Sequence, residues 1–357
     1  MWFKKRQKST ETTTLYLSID GCSIGLSLYT NNICNFSDRR IHVMYEDNIP
    51  IEALLKDILY GFKYSYPKPF DQIFVILESP WIIEKSLDIK EKRMTPFVIN
   101  QEIINNLINK QEENNKTTFY DLPYVVERVA LNGYVYPDPI GKITKEIEIS
   151  ITKFSADKEI IEFLNKEIKE FWNKTKIIYL SGPLLISNIG KNLIATNDIF
   201  VNLNSTNTVL HLYSTGFVNG NIIISFGLQH ILQGLNNKWK TTNEESLNWI
   251  DLFLNKTLNE AELSRITADL RLVIAPYIDS FTKKDFKTNF IIERPINILG
   301  GNVIWNKLFT YLLKEKYFGE LFPHIDTTVI KDISDGLNDL KGDRLIAIYA
   351  RSDELKK

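Results

Sequence analysis

Residues 15–28 decide the fold, and they read Leu-Tyr-Leu-Ser-Ile-Asp-Gly-Cys-Ser-Ile-Gly-Leu-Ser-Leu. From Leu15 to Ile19 every second residue is apolar, which is the period of a β-strand with one buried face. Asp20 and Gly21 interrupt this alternation, which then resumes, so the stretch predicts a hairpin whose tip turns at a glycine with positive φ. Such a tip can bind phosphate through backbone N–H groups, with its carboxylate on the waters of a bound metal. The alternative is a plain surface turn.

The chain after this hairpin continues with strand and helix patterns. A third strand is predicted around 40–44, a helix with one apolar face at 51–62, and a buried strand at 72–77. Beyond Ser79-Pro80 the pattern changes. Strands at 82–92, 124–134 and 143–154 and helices at 96–110 and 156–172 are expected there. These elements predict a small α+β domain inserted into the first one.

The second half of the chain repeats the pattern of the first. Strands are predicted at 176–180, 199–203, 208–213 and 219–226, and the loop 204–207 forms the tip of a second hairpin. Helices are predicted at 227–235, 247–258 and 261–281. A strand at 296–299 then ends at Gly300-Gly301, before a helix at 303–317.

Composition excludes several classes of protein. A chain of 357 residues is long enough for two domains, and its net charge of −1 gives no overall attraction to nucleic acid. Cys22 and Cys34 are the only cysteines, so no disulfide framework is expected and a reducing cytoplasm fits. The histidines show no metal-ligand spacing, and no run is long and apolar enough to cross a bilayer.

The chain resembles the actin-like ATPase superfamily. The resemblance lies in the two hairpins, the strand–Gly-Gly–helix at 296–313 and the turns Asn132-Gly133-Tyr134 and Pro139-Ile140-Gly141. The similarity is to the bacterial branch that includes the cell-division protein FtsA and the pilus-assembly protein PilM. It implies an α/β fold with actin-like duplicated ribonuclease-H-type domains and a small inserted strand–helix–strand–strand domain. The implied divisions are a basic tail at 1–14, a first domain at 15–83 and 174–197, an inserted domain at 84–173, and a second domain at 198–357 with a helical subdomain at 240–294.

The resemblance also implies a site for ATP and Mg²⁺ at the two hairpin tips and the late glycines. The residues that fall on this site are Asp20, Gly21, Cys22, Ser23, Asn204, Ser205, Thr206, Gly300 and Gly301, with Asp20 as the metal ligand. Two positions depart from the family pattern, since Cys22 replaces a glycine and Asn202 replaces an acid. A Cβ crowds a phosphate and an amide lacks the charge of a carboxylate, so we expect weak or lost nucleotide binding and slow or absent turnover.

The function that the resemblance implies is that of a cytoplasmic scaffold. Such a scaffold would bind a protein partner at the inner face of the membrane, in a division ring or a type IV pilus, and self-association is left open. Trp2, Phe3, Lys4 and Lys5 suggest weak membrane contact, for which the alternative is a disordered tail. An active small-molecule kinase of the same superfold is the second interpretation. It would need a catalytic Asp in a substrate cleft and intact phosphate loops.

Overall fold

The computed structural model describes residues 13–21, 23–31, 33–41, 51–66, 70, 72–110, 119–185, 199–214, 217–283, 296–300, 303–314 and 330–332. The predictions made for 1–12, Cys22 and Gly301 lie outside these ranges. None of the helices within them is long and apolar enough to cross a membrane.

The described residues form both strands and helices. The strands are β1 (Thr13–Ile19), β2 (Ser23–Thr30), β3 (Ile33–Ile41), β4 (Gln72–Leu77), β5 (Ile82–Val98), β6 (Phe119–Asp121), β7 (Val125–Leu131), β8 (Tyr134–Val135), β9 (Ile143–Asp157), β10 (Lys176–Ser181), β11 (Ile199–Leu203), β12 (Thr208–Ser214), β13 (Phe217–Ile224), β14 (Ile296–Gly300) and β15 (Ile330–Asp332). The helices are α1 (Ile51–Ser65), α2 (Gln101–Lys110), α3 (Lys158–Phe171), α4 (Leu228–Trp239), α5 (Asn243–Leu254), α6 (Glu260–Lys283) and α7 (Val303–Lys314).

Two five-stranded sheets share one topology. The first sheet has the order β10-β4-β1-β2-β3, and the second has the order β13-β12-β11-β14-β15. In the first, β1, β2 and β3 pair antiparallel while β4 and β10 run parallel to β1. In the second, β11, β12 and β13 pair antiparallel while β14 and β15 run parallel to β11. The predicted duplication is therefore present in the topology of the two sheets.

A third sheet lies in the sequence between β4 and β10, and we call it the inserted sheet. Its order is β5-β9-β7-β8, with β6 also paired to β9. Helix α2 packs on one face of this sheet because its apolar residues recur at helical spacing. Ile104, Leu107 and Ile108 on the helix form one hydrophobic cluster with Ile147 and Ile149 of β9.

Helix α3 belongs to the core of the first sheet. It begins at the N-cap Asp157, whose carboxylate accepts the Glu159 amide at 2.9 Å. Its buried residues Leu164 and Ile168 lie in one cluster with Phe62 of α1 and with β1, β2 and β4. The predicted inserted domain at 84–173 includes α3, and we propose to assign this helix to the first domain instead. The other domain limits remain predictions.

The core of the second sheet is formed by α4, α5, α6 and α7 on one face. Val201 and Leu203 of β11 pack there with Phe226, Ile250 and Trp305. Helices α5 and α6 fall within the predicted helical subdomain at 240–294. Helix α4 extends to Trp239, four residues beyond the predicted end at 235, because Leu235 and Asn236 remain buried in the helix.

Three further predicted boundaries were wrong. Strand β1 begins at Thr13, inside the predicted tail, because Thr13 and Thr14 pair with the end of β2. Strand β3 spans Ile33–Ile41 rather than 40–44. Strand β5 continues to Val98, where a helix was expected from Pro96, since its charged second half pairs with β9. In each case pairing with another strand overrides the local pattern.

Candidate nucleotide site

The tips of the two predicted hairpins are equivalent in register. The last pair of the first hairpin is Ile19 with Ile24, and residues 20–23 form its tip. The last pair of the second hairpin is Leu203 with Thr208, and residues 204–207 form its tip. Each tip therefore has four residues, and the duplication matches Asp20 with Asn204.

Both tips are closed by one backbone and one side-chain hydrogen bond between their first and last residues. In the first, the Asp20 amide donates to the Ser23 carbonyl at 3.0 Å, and Ser23 Oγ donates to Asp20 Oδ2 at 2.7 Å. In the second, the Asn204 amide donates to the Asn207 carbonyl at 2.9 Å, and Asn204 Nδ2 donates to Asn207 Oδ1 at 2.7 Å. The Asp20 carboxylate thus stabilises its own turn, as short polar side chains commonly do.

The register changes the interpretation of Asn202. Asn202 lies opposite Val209 within β11, and the equivalent position in the first hairpin is Ser18, opposite Gly25. The register counterpart of Asp20 is Asn204, and Asn202, which replaces the acid of the family pattern, lies two positions before it. Asn202 is fully buried, and its side-chain amide group, Nδ2 and Oδ1, has no hydrogen-bond partner among the residues that the structure describes.

The turn after β4 joins the two tips, and Ser79 makes the contacts. Its carbonyl accepts the Gly21 amide at 3.1 Å and Ser205 Oγ at 3.5 Å. Its hydroxyl shares a hydrogen bond with Thr206 Oγ1 at 2.9 Å and accepts Asn207 Nδ2 at 3.2 Å. Ser79 therefore connects the first tip to the second.

Gly21 is required at this junction by close approach. A Cβ on Gly21 would lie 2.6 Å from Ser205 Oγ and 2.8 Å from Pro80 Cδ, closer than nonbonded atoms approach. The expectation of a positive φ at Gly21 was wrong, because the glycines in the described residues with positive φ are Gly133 and Gly141. The turn does need a glycine, as the sequence indicated, but the reason is the close approach of Ser205 and Pro80 and not a positive φ.

The second tip also rests on the N-terminus of α4. The Gln229 amide donates to the Ser205 carbonyl at 2.9 Å, and a Cβ on Gly227 would overlap that carbonyl group. The Gly227 amide donates to His230 Nδ1 at 3.1 Å. Burial lowers the pKa of His230, so the neutral ring that can accept this bond is favoured.

The predicted site residues are brought together in part. Asp20, Gly21 and Ser23 form the first tip, and Asn204, Ser205 and Thr206 lie in the second, which Ser79 joins to the first. Gly300 is the last residue of β14 and pairs with Leu203, so it lies at the strand end that carries the second tip. Cys22 and Gly301 lie outside the described residues.

Comparison with solved structures identifies the fold of the chain. No protein-family model and no curated protein matches the sequence. The chain is similar to a solved PilM–PilN complex of type IV pilus biogenesis, with 10% identity over 95% of this chain and 98% of that chain, and a TM-score of 0.58. This similarity shows the fold of the chain and confirms the predicted actin-like fold. Lower similarity is found to the ethanolamine utilization protein EutJ of Carboxydothermus hydrogenoformans, with 9% identity over 89% of this chain and 86% of that chain, and a TM-score of 0.43. A Bacteroides thetaiotaomicron protein with an actin-like ATPase fold gives 11% identity over 93% and 97% of the two chains, and a TM-score of 0.40.

The described parts of the two tips leave no room for a phosphate group between Gly21 and Ser205. A methyl group does not fit between Gly21 and Ser205, so a phosphate group, which is larger, does not fit there either. Asp20 Oδ2 already accepts Ser23 Oγ.

The sequence analysis did not identify Ser79 as part of this site. The available signal was its place two residues after the end of the buried parallel strand β4, at the edge where polar residues from adjacent strand ends meet. A serine before a proline was interpreted as a change of pattern and was given no role in a site.

Proposed function

We propose that the protein is a scaffold of the FtsA/PilM type, which binds a protein partner at the inner face of the cytoplasmic membrane and has a vestigial nucleotide site. Its place would be in the cytoplasm, in a membrane-associated assembly such as a type IV pilus or a division ring. Support for the partner comes from similarity in fold to PilM, which was solved in complex with PilN.

The observation that carries the proposal is the direct contact of the two tips through Ser79. Polar side chains fill the junction in which a nucleotide enzyme of this architecture would hold phosphate groups. A protein that does not turn over nucleotide works through its surfaces, so binding of a partner is the function that this geometry favours.

The inserted sheet offers an apolar surface for a partner. Val98 and Ile143 pair across β5 and β9, and both side chains are exposed, by 51% and 68%. Tyr134 is 73% exposed and pairs with Leu131, whose buried side chain lies in the α2 cluster. Opposite residues of an antiparallel pair share a face, and Val98 lies between Phe97 and Ile99, which both pack in the cluster of α2, so Val98 and Ile143 face away from that helix. Val98 and Ile143 therefore form an exposed apolar pair on the face opposite α2, while Tyr134 lies on the α2 face, and such exposure is typical of interaction sites.

Partner binding tests this proposal. Full-length protein is used to capture and identify proteins from solubilised inner membranes, and a synthetic peptide of the captured protein's cytoplasmic segment is then titrated by fluorescence anisotropy. We expect Ile143→Ser to weaken binding about tenfold or more. Ile33→Ser is the matched control, because Ile33 on β3 is equally exposed at 68%. Equal binding by both variants, or capture without any membrane protein, would contradict the proposal.

The kinase interpretation is tested separately. A small-molecule kinase of this superfold would release ADP in a manner that depends on a sugar or similar acceptor. The filled junction between the tips argues against it. Acceptor-dependent ADP release by the purified protein, abolished by Asp20→Ala, would establish the kinase in place of the scaffold.

A further inference from the structure

Hydrogen bonds between the first and second halves of the chain converge on Ser79. Three connect it to the second tip, from Ser205 Oγ to its carbonyl and from Thr206 and Asn207 to its hydroxyl. A fourth hydrogen bond lies within the first half, where the Ser79 carbonyl accepts the Gly21 amide of the first tip. One residue thus uses its backbone and its side chain to bridge both hairpins.

The packing around these bonds leaves little freedom at the junction. Gly21 approaches Ser205 with no room for a Cβ, and Gly227 approaches the Ser205 carbonyl in the same way. The second tip is thus held between the first tip on one side and the N-terminus of α4 on the other. Such over-determined contacts define one geometry, because side chains and backbone cannot shift independently.

We infer that the Ser79 hydrogen bonds form a ligand-independent clasp, which holds the two sheets in one closed arrangement without nucleotide or metal. The inference rests on the proposed function in that both assign no nucleotide to the tips. In addition, the Ser79 hydrogen bonds take the place of the ligand between the two tips. A binding surface that spans the two halves would then be constantly in place and would not depend on a nucleotide cycle.

Hydrogen–deuterium exchange on the full chain tests the clasp. Ser79→Ala removes the bonds to Thr206 and Asn207 but keeps the carbonyl, so the amides of both tips should exchange faster by about fivefold for each bond lost. Ser86→Ala is the matched control, because the Ser86 hydroxyl bonds Thr152 at 3.4 Å within the inserted sheet. It should leave exchange at both tips unchanged.

A second variant tests the same bond from the other side. Thr206→Val removes the hydroxyl and keeps the side-chain shape, and it should also speed exchange at Gly21, which lies in the other half. In a double-mutant cycle the effects of Ser79→Ala and Thr206→Val should sum to more than the effect of the double variant, because the two residues share one bond. Wild-type exchange at Gly21 and Asn204 in Ser79→Ala, or strictly additive effects, would overturn the clasp.

The same experiment with Mg-ATP separates this inference from the proposed function. We expect no change in exchange at the tips when Mg-ATP is added to the wild-type protein. Protection of both tips by Mg-ATP would overturn the vestigial site, and with it the ligand independence of the clasp. The hydrogen bonds themselves are judged from the Ser79 and Thr206 variants in the absence of nucleotide.

Discussion

Gly21 is the residue at which the missing Cβ has the clearest consequence. We expect Gly21→Ala to lower the free energy of unfolding by about 1–3 kcal/mol, the range of an overpacked contact. The new methyl group would meet Ser205 Oγ at 2.6 Å and Pro80 Cδ at 2.8 Å. The serine side chain can rotate away, but the proline ring cannot. The measurement is urea unfolding followed by circular dichroism.

Gly61 provides the matched control for that substitution. It lies in α1, where the nearest atom to an added Cβ is Arg40 Nη2 at 3.7 Å, an ordinary contact. Gly61→Ala should therefore stabilise the protein by about 0.5–1 kcal/mol through helix propensity. If Gly21→Ala were as stable as wild type while Gly61→Ala behaved as expected, the tips would not be in close contact in solution.

Among the elements, α3 decides how the insertion can be removed. Deletion of 83–173 would take α3 away and uncover apolar side chains of the first sheet, so this variant should aggregate. Ser86 and Thr152 lie opposite each other in β5 and β9, so replacing 87–151 by Asn-Gly would close a short hairpin and keep α3. This shorter variant should fold with a reduced melting temperature, because Leu122 and Val125 are lost from the first core.

Near-ultraviolet circular dichroism distinguishes these two deletions. Trp172 follows α3 and packs edge-to-face against Phe62 and Phe70, with ring centroids 6.1 Å and 5.4 Å apart. The hairpin variant should retain the aromatic signal of this cluster and a cooperative thermal transition. A soluble, cooperatively folded protein after deletion of 83–173 would show that α3 is dispensable for the first core.

For the protein in its cellular setting, the tail at 1–9 is expected to act separately from partner binding. Trp2 and Phe3 with the basic residues that follow should give weak sedimentation with anionic vesicles, since each basic residue near the surface contributes about 1 kcal/mol. Sedimentation should decrease as salt increases, because salt screens the attraction. Neutral vesicles are the control.

Deletion of residues 1–9 should abolish this sedimentation and leave the affinity for the partner peptide unchanged. The physical reason is that the proposed partner surface, around Ile143, lies on the inserted sheet. Loss of peptide binding by the truncated protein, with its circular dichroism spectrum intact, would place recognition in the tail instead.

The elements of this protein follow from local patterns in its sequence. The two hairpins, the buried strand Gln72–Leu77 and the helix that begins at Ile51 were predicted because a period of two or of 3.6 residues is written within each segment. The four-residue tips were also visible as polar interruptions between apolar runs. A resemblance to one known fold then ordered these pieces into two repeated domains.

The site depends on contacts that no local pattern encodes. Ser79 and Thr206 are 127 positions apart, and only the packing of the two sheets brings their hydroxyls to 2.9 Å. The assignment of α3 to the first core and the match of Asp20 with Asn204 depend in the same way on which distant segments pack or pair. Periodicity determines which face of an element is buried, but the partner of that face is chosen by the free energy of the assembled chain.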